Sequence, residues 1–260
     1  MRNITFLGTG HGMPKSSATT SLFIKDENTN LLVDVSGGYE LIRQFNKIGI
    51  NPEVVENIFL SHSDSDHILG ISPLIRVFRK SKKTRTLFCS PEVKEAIDSI
   101  LQYTANKHYQ EVLPFLNIVL INDNLSYEFH GWNFTFFDKK SNKTPQFGFT
   151  VTFPDNTKLS FLGDEPLNEH EITFVKDSDI FIHEAFCLEN DMEFHRPHPK
   201  KHSTVKEAAL YAAKVNAKKL VLFHMEDDSL ETRKKEYYNE ASNNFKREIF
   251  VPVDLDVMVF

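Results

Sequence analysis

Residues 60–70 read LSHSDSDHILG, and four of them carry side chains that bind cations or move protons: His62, Asp64, Asp66 and His67. Imidazole nitrogens and carboxylate oxygens are donors for divalent metals, and the same groups serve as general acids and bases. The stretch follows an apolar run at 57–60 with the composition of a buried strand. Residues 68–78 after it have helical spacing. The four side chains therefore sit where a strand gives way to a helix, a common place for a site on α/β architecture. Positions 62 and 64 alternate while 66 and 67 are adjacent, so the set can face a shared centre from two sides, which suits two metals better than one. The plainer alternative is a solvated helix N-terminus where Asp is favoured by the helix dipole.

Similar groups recur downstream: Asp164 in SFLGDEP, His183 and Glu184 in IFIHEAF, His202 in KKHST and His224 in LVLFHMED. Asp164 and His224 each close an apolar run and so project from the carboxyl edge of a strand. One such residue alone would be structural; several at strand ends or helix starts point to a site. His183 alternates with Glu184 and faces the opposite side of its strand, towards core. His195 and His198 lie in the Pro-containing EFHRPHPKKHST, a surface loop, with substrate contact or an auxiliary metal as the alternatives. His11 falls in the Gly-rich LGTGHGMP and is a candidate substrate contact; the single Trp132 belongs to core.

The elements that must position these groups alternate along the chain. Strands are expected at 4–7, 21–25, 31–35, 57–60, 86–88, 117–121, 126–129, 132–138, 147–153, 158–162, 180–183, 220–223 and 256–260. Helices are expected at 39–47, 69–80, 91–106, 167–176, 204–215 and 231–243, the fifth with Ser203 as its cap. Residues 117–163 form strands without helices, and no linker or repeat divides the chain. This order fits a single domain over 1–260 of class α/β (α+β): two mixed sheets face to face with helices outside, a four-layer αββα sandwich. The 260 residues are 40% apolar and 25% charged, as in ordinary globular proteins, and the net charge of −6 disfavours a general nucleic-acid or membrane-surface binder. Cys89 and Cys187, far apart, read as buried thiols of a cytoplasmic protein. No stretch approaches the roughly 18 apolar residues of a membrane span, so no membrane association is expected.

Taken in order, LGTG (7–10), His-x-Asp-x-Asp-His (62–67), LGD (162–164), HEA (183–185), HST (202–204) and LFH (222–224) resemble the metallo-β-lactamase superfamily. Within it they are most similar to the phosphodiesterase branch that includes ribonuclease Z and the cyclic phosphodiesterase of phosphonate breakdown. The resemblance spans nearly the whole chain, and its fold is the αββα sandwich. It implies that His62 and Asp64 hold one metal, that Asp66, His67 and His224 hold another, and that Asp164 bridges. The third ligand of the first metal falls at Asn142, beside Lys143. Neither is a usual ligand, and Lys143 is a candidate for a substrate phosphate instead. Asp64 stands where the family more often has His; a His-x-Asp-x-Asp-His form also resembles the nuclease-like domain of DNA-uptake channel proteins. The added carboxylate moves metal preference from Zn²⁺ towards Mn²⁺, with Mg²⁺ or Fe²⁺ open, at one or two ions per chain.

The resemblance further implies hydrolysis at phosphorus by metal-activated water, with His202 as general acid, Glu184 as the carboxylate that orients it, and Asp66 in the catalytic set. An acid for an alkoxide leaving group favours phosphodiesters over lactams. Only 21 residues separate Asn142 from Asp164, leaving no room for the tRNA-binding arm of ribonuclease Z. The leading expectation is a metal-dependent phosphodiesterase for a small cyclic or nucleotide phosphodiester. The alternatives are a nuclease on single-stranded DNA or RNA or in tRNA 3′ processing, encouraged by RKSKKTR at 79–85, and a degenerate nucleotide- or protein-binding member. Relatives of this kind commonly form homodimers; nothing in the sequence decides it here.

Overall fold

Fourteen strands and nine α-helices follow one another along residues 1–260, all described by a computed structural model. They divide into two compact units, residues 1–121 with 253–260 and residues 122–252.

The first unit runs β1 (Asn3–Gly8), β2 (Ser21–Lys25), β3 (Asn30–Val33), α1 (Glu40–Lys47), β4 (Asn57–Phe59), α2 (Ser65–Ile68), α3 (Ile71–Phe78), β5 (Arg85–Cys89), α4 (Pro91–Thr104), α5 (Asn106–Val112) and β6 (Leu116–Leu120). β1 to β3 form an antiparallel meander, and β3 to β6 are parallel, each crossover carrying a helix. Alternate strand residues Leu7, Phe23, Leu32, Ile58 and Leu87 pack against Phe45 of α1, Leu74 and Phe78 of α3 and Ile97 of α4. Burying such a side chain contributes about 2 kcal/mol over leaving it in water.

The second unit runs β7 (Leu125–Phe129), β8 (Trp132–Asp138), β9 (Phe147–Thr152), β10 (Lys158–Phe161), α6 (Ile172–Val175), β11 (Ile180–Glu184), α7 (Met192–His195), α8 (Val205–Lys214), β12 (Lys219–Phe223), α9 (Leu230–Asn244) and β13 (Glu248–Phe250). Its sheet has the order β13-β12-β11-β10-β9-β8-β7. On one face, Phe134 stacks on Phe129 and Phe136 with ring centres 5.0 and 5.7 Å apart, and Phe149 stacks on Phe161 at 5.6 Å. Trp132, fully buried, meets Phe153 edge-on at 4.9 Å. On the other face, Phe137, Phe181, Leu220 and Leu222 pack against Ala208, Ala209 and Ala212 of α8 and Tyr237 of α9. The chain then returns to the first unit, where β14 (Val257–Val259) pairs antiparallel with β1.

Three departures from the sequence expectations have local causes. The helix expected at 167–176 shrinks to α6, because the buried Lys139 ammonium binds the carbonyls of Glu165 and Pro166 and the Glu171 carboxylate at 3.0–3.2 Å, holding that stretch as a loop. The cap of α8 is Thr204 rather than Ser203: Thr204 and Glu207 form a reciprocal capping box, each side chain taking the other's backbone N–H. β13, only three residues long, had no pattern by which to be expected.

Candidate metal centre

In the first unit the four side chains of the opening motif stand where β4 runs out and α2 begins. Asp64 is the N-cap residue of α2 and makes no side-chain cap bond. His62 Nε2 lies 3.6 Å from Asp64 Oδ2, and His67 Nε2 lies 3.1 Å from Asp66 Oδ2. The two imidazoles are tilted at 47° with ring centres 4.1 Å apart, and both are buried.

What orients them is Asp34, at the end of β3. Its Oδ2 accepts from His67 Nδ1 at 2.7 Å and from Ser61 Oγ at 2.8 Å, and its Oδ1 accepts from the Ser61 N–H at 2.8 Å. Ser61 Oγ in turn lies 2.9 Å from His62 Nδ1. With the Ser61 proton committed to Asp34, His62 Nδ1 must donate to Ser61. Both rings then carry their protons on Nδ1 and present Nε2 lone pairs, the form that binds a cation. The segment is fixed from behind: Val35 N–H donates to the His67 carbonyl at 2.8 Å, and Gly70 N–H to the Ser36 carbonyl at 2.9 Å. Gly70 passes so close that a Cβ there would lie 1.7 Å from the Val35 carbonyl oxygen, which is why the motif ends in Gly. His11 lies in the turn before Gly12, whose Cα is packed beside the Asp66 carboxylate; the Met13 N–H donates to His11 Nδ1 at 3.3 Å.

In the second unit Asp164 follows β10 and His224 follows β12, both at carboxyl edges. His224 holds a left-handed backbone, φ 52°, that turns its ring aside from the strand direction. Its Nε2 lies 3.6 Å from Asp164 Oδ2, and Gln146 Nε2 donates to Asp164 Oδ1. His202 stacks on Phe186 at 5.0 Å and lies 5.1 Å from the His224 ring. Ligand atoms of Asp164, His202 and His224 come within 4.8 Å of one another, a spacing that one cation can span. Nitrogen and carboxylate donors in both units fit a divalent metal.

Two expected contacts differ. His202 is oriented by the Asp164 carbonyl oxygen, which accepts from its Nδ1 at 2.7 Å; Glu184 Oε2 is 3.8 Å from that nitrogen and makes no such bond. Glu184 instead accepts from the Ser203 N–H at 2.6 Å and so pins the start of HST. Complete burial pushes the Glu184 carboxyl well above the usual range, and burial pushes His202 down against the opposing pull of Asp164. At the expected third-ligand position, Asn142 is exposed, and the Lys143 ammonium binds the Lys200 carbonyl. The side chain that reaches Asp164 is Gln146, four residues further on.

His183 packs into the core between Phe181 and Tyr211, donating from Nδ1 to the Glu184 carbonyl at 2.7 Å; burial lowers its pKa to about 3. His198 is exposed and bonds to Glu207 at 2.9 Å. His195 lies 3.9 Å from Glu226, a carboxylate already accepting from Ser229 and Tyr237. Asp34, Ser61 and Gln146 were not among the sequence candidates. Asp34 did carry a signal, a carboxylate closing the apolar run LLVD.

The family model described as "Anti-Pycsar protein Apyc1" matches residues 2–244. The chain belongs to the Apyc1 family. It is also 24% identical over 307 aligned residues to ribonuclease Z of Leuconostoc mesenteroides, covering 98% of this chain and 96% of that protein. The metallo-β-lactamase fold protein YhfI of Bacillus subtilis superposes with a TM-score of 0.80 at 19% identity, covering 99% and 98% of the two chains. A diphosphatase of the PhnP family superposes with a TM-score of 0.77 at 17% identity, covering 100% and 98%. The fold of this Apyc1-family chain is therefore the metallo-β-lactamase fold expected from the motifs. The relatives named ribonuclease Z and PhnP-family diphosphatase support the phosphodiesterase branch of that superfamily. No helix is long and apolar enough to cross a membrane.

Proposed function

We propose that the chain is a divalent-metal-dependent phosphodiesterase acting on a small cyclic or nucleotide phosphodiester. One observation carries this above the rest: His202 is tied by Nδ1 to the backbone of Asp164 and stacked on Phe186, so its Nε2 edge is the part left to meet a substrate. An acid fixed beside a metal-binding carboxylate is what an alkoxide leaving group requires.

The ligands are His62, Asp64, Asp66 and His67 of the first unit and Asp164 and His224 of the second, with Mn²⁺ favoured by the carboxylate at 64. When bound, divalent cations polarise the phosphoryl oxygens and acidify water for attack. His202 gives its Nε2 proton to the ester oxygen as the phosphorus–oxygen bond breaks; in a cyclic substrate that oxygen becomes a hydroxyl of the same product. The Nδ1 proton stays with the Asp164 carbonyl throughout, and the Asp164 carboxylate supports the imidazolium before transfer. His11 and Lys143 are proposed substrate contacts.

The alignment with the Leuconostoc ribonuclease Z is longer than this whole chain, so that relative carries residues with no counterpart here. The residues between Asn142 and Asp164 are taken up by the β9–β10 hairpin and its approach, which supports a compact substrate. The ribonuclease Z relatives do keep a nuclease as the second reading. Against it, Arg85 of RKSKKTR is buried, its guanidinium donating to the carbonyls of Val55, Glu53 and Lys83.

The test is turnover of cyclic mononucleotides and of bis(p-nitrophenyl) phosphate with Mn²⁺. His202→Ala should lower kcat about 10²–10⁴-fold, the usual worth of a positioned acid, while Mn²⁺ remains bound. Inactivity with every divalent metal, or an unaffected His202→Ala variant, rejects the proposal. Strongly salt-dependent binding of oligonucleotides would favour the nuclease.

A further inference from the structure

Gln146 lies directly before β9 and is 2% exposed. Its backbone carbonyl accepts from the Lys139 N–H at 2.8 Å, extending the β8–β9 ladder by one more bond and fixing the point from which its side chain departs. That side chain reaches across to the turn after β10, where its Nε2 donates to Asp164 Oδ1. The residue before Asp164 is shaped to receive it. Gly163 has φ +71°, and a Cβ built there would lie 3.3–3.5 Å from three atoms of the Gln146 amide. Backbone conformation and space both select glycine, so the Gly of the LGD motif is the floor on which the amide rests. The far side of the same turn is held by the buried Lys139, which binds the carbonyls of Glu165 and Pro166.

We infer that Gln146 is a positioning residue for the metal ligand Asp164: its amide occupies Oδ1 and leaves Oδ2, on the side of His224, as the oxygen offered to a cation. A carboxylate free to spin offers either oxygen and loses that freedom when it binds. One held at Oδ1 has lost it beforehand. An amide suits the task because its N–H donates at every pH and adds no charge beside the ligands. Since Asp164 also holds His202 through its carbonyl, the acid depends on the same anchored residue. The role rests on the metal-dependent reading above, but not on the substrate, and metal affinity tests it without turnover.

Mn²⁺ binding to the full chain, freed of metal and measured by titration calorimetry, separates the outcomes. Gln146→Met, of similar length and without the donor, should raise the Kd for Mn²⁺ about 10–100-fold, the usual effect of losing a partner of a ligand. The metal-free variant should keep the far-ultraviolet circular dichroism and melting temperature of the parent. Gln146→Asn, which keeps an amide too short to reach Oδ1, should weaken Mn²⁺ to a similar degree and covers the case in which the Met variant does not fold. Thr144→Ala in the same loop should leave Mn²⁺ affinity unchanged. Affinity within twofold of the parent in a folded Gln146 variant, or an equal loss in Thr144→Ala, overturns the assignment. Loss of Mn²⁺ affinity without detectable phosphodiesterase activity in the parent would uphold Gln146 and sink the proposed function instead.

Discussion

Asp34 accepts from Nδ1 of His67 and from Ser61, which accepts in turn from Nδ1 of His62. One carboxylate thus fixes the tautomer of two proposed ligands. Asp34→Asn keeps the shape but replaces one acceptor by a donor, and is expected to weaken Mn²⁺ or Zn²⁺ about 10–100-fold by calorimetry. Buried His183 gives a second prediction, on stability. At pH 7 it is neutral in the folded chain and mostly neutral in the unfolded one. Below its ordinary pKa of 6.5 the unfolded chain takes up a proton that the folded chain refuses until about pH 3. Stability therefore falls with pH through that window, by about 1.4 kcal/mol per unit from this group alone. Glu184 acts in the opposite sense: its raised pKa means that stability declines as pH rises above the ordinary carboxylate range. His183→Gln should flatten the acid side of the stability profile by on the order of 3 kcal/mol between pH 6.5 and 4, read from urea midpoints. An unchanged acid limb would place the effect elsewhere.

At the scale of elements, the alternating and helical patterns located most strands and the long helices, and the strand-end positions of Asp164 and His224 were legible because each closes an apolar run. What the pattern missed depends on partners distant in sequence. The loop at 164–171 is held by Lys139, and a helix-like local pattern there yielded to that buried ion pair. Gln146 was invisible for the same reason, since nothing local marks a glutamine that will rest on a glycine in the turn after the next strand. The sequence pairs HEA with HST, and Glu184 does bind the Ser203 N–H and lie 3.8 Å from His202 Nδ1, but the imidazole proton goes to a backbone carbonyl that carries no side-chain signal. Two element-level substitutions test the packing. Thr204→Ala removes half of the α8 capping box and should cost about 1 kcal/mol in denaturant unfolding. Gly70→Ala forces a methyl against the Val35 carbonyl and should cost more, about 3 kcal/mol, and loosen the metal motif along with it.

On the scale of the molecule, the last residues belong to the first unit. Besides pairing β14 with β1, they supply Asp254, whose carboxylate accepts from the backbone and hydroxyl of Thr9 at 2.9 and 2.8 Å, from the Ala18 N–H at 2.6 Å and from Gln44 at 3.2 Å. The Gly-rich loop that carries His11 is thus tied down from the far end of the chain. Asp254→Ala should destabilise the protein by about 2–3 kcal/mol by stranding those donors, and should expose residues 9–18 to limited proteolysis before any other segment. This placement also orders events during synthesis. A nascent chain that has emerged through β6 has its metal motif but neither β14 nor Asp254, and more than half of the sequence must still be made. At about 5–20 residues per second that wait is on the order of ten seconds. Throughout it the β1 edge, with its apolar Ile4 and Phe6, is open to pairing with other chains. Until residues 257–259 are made the newborn protein keeps that edge unpaired, and no metal can remedy that, because the missing piece is a strand.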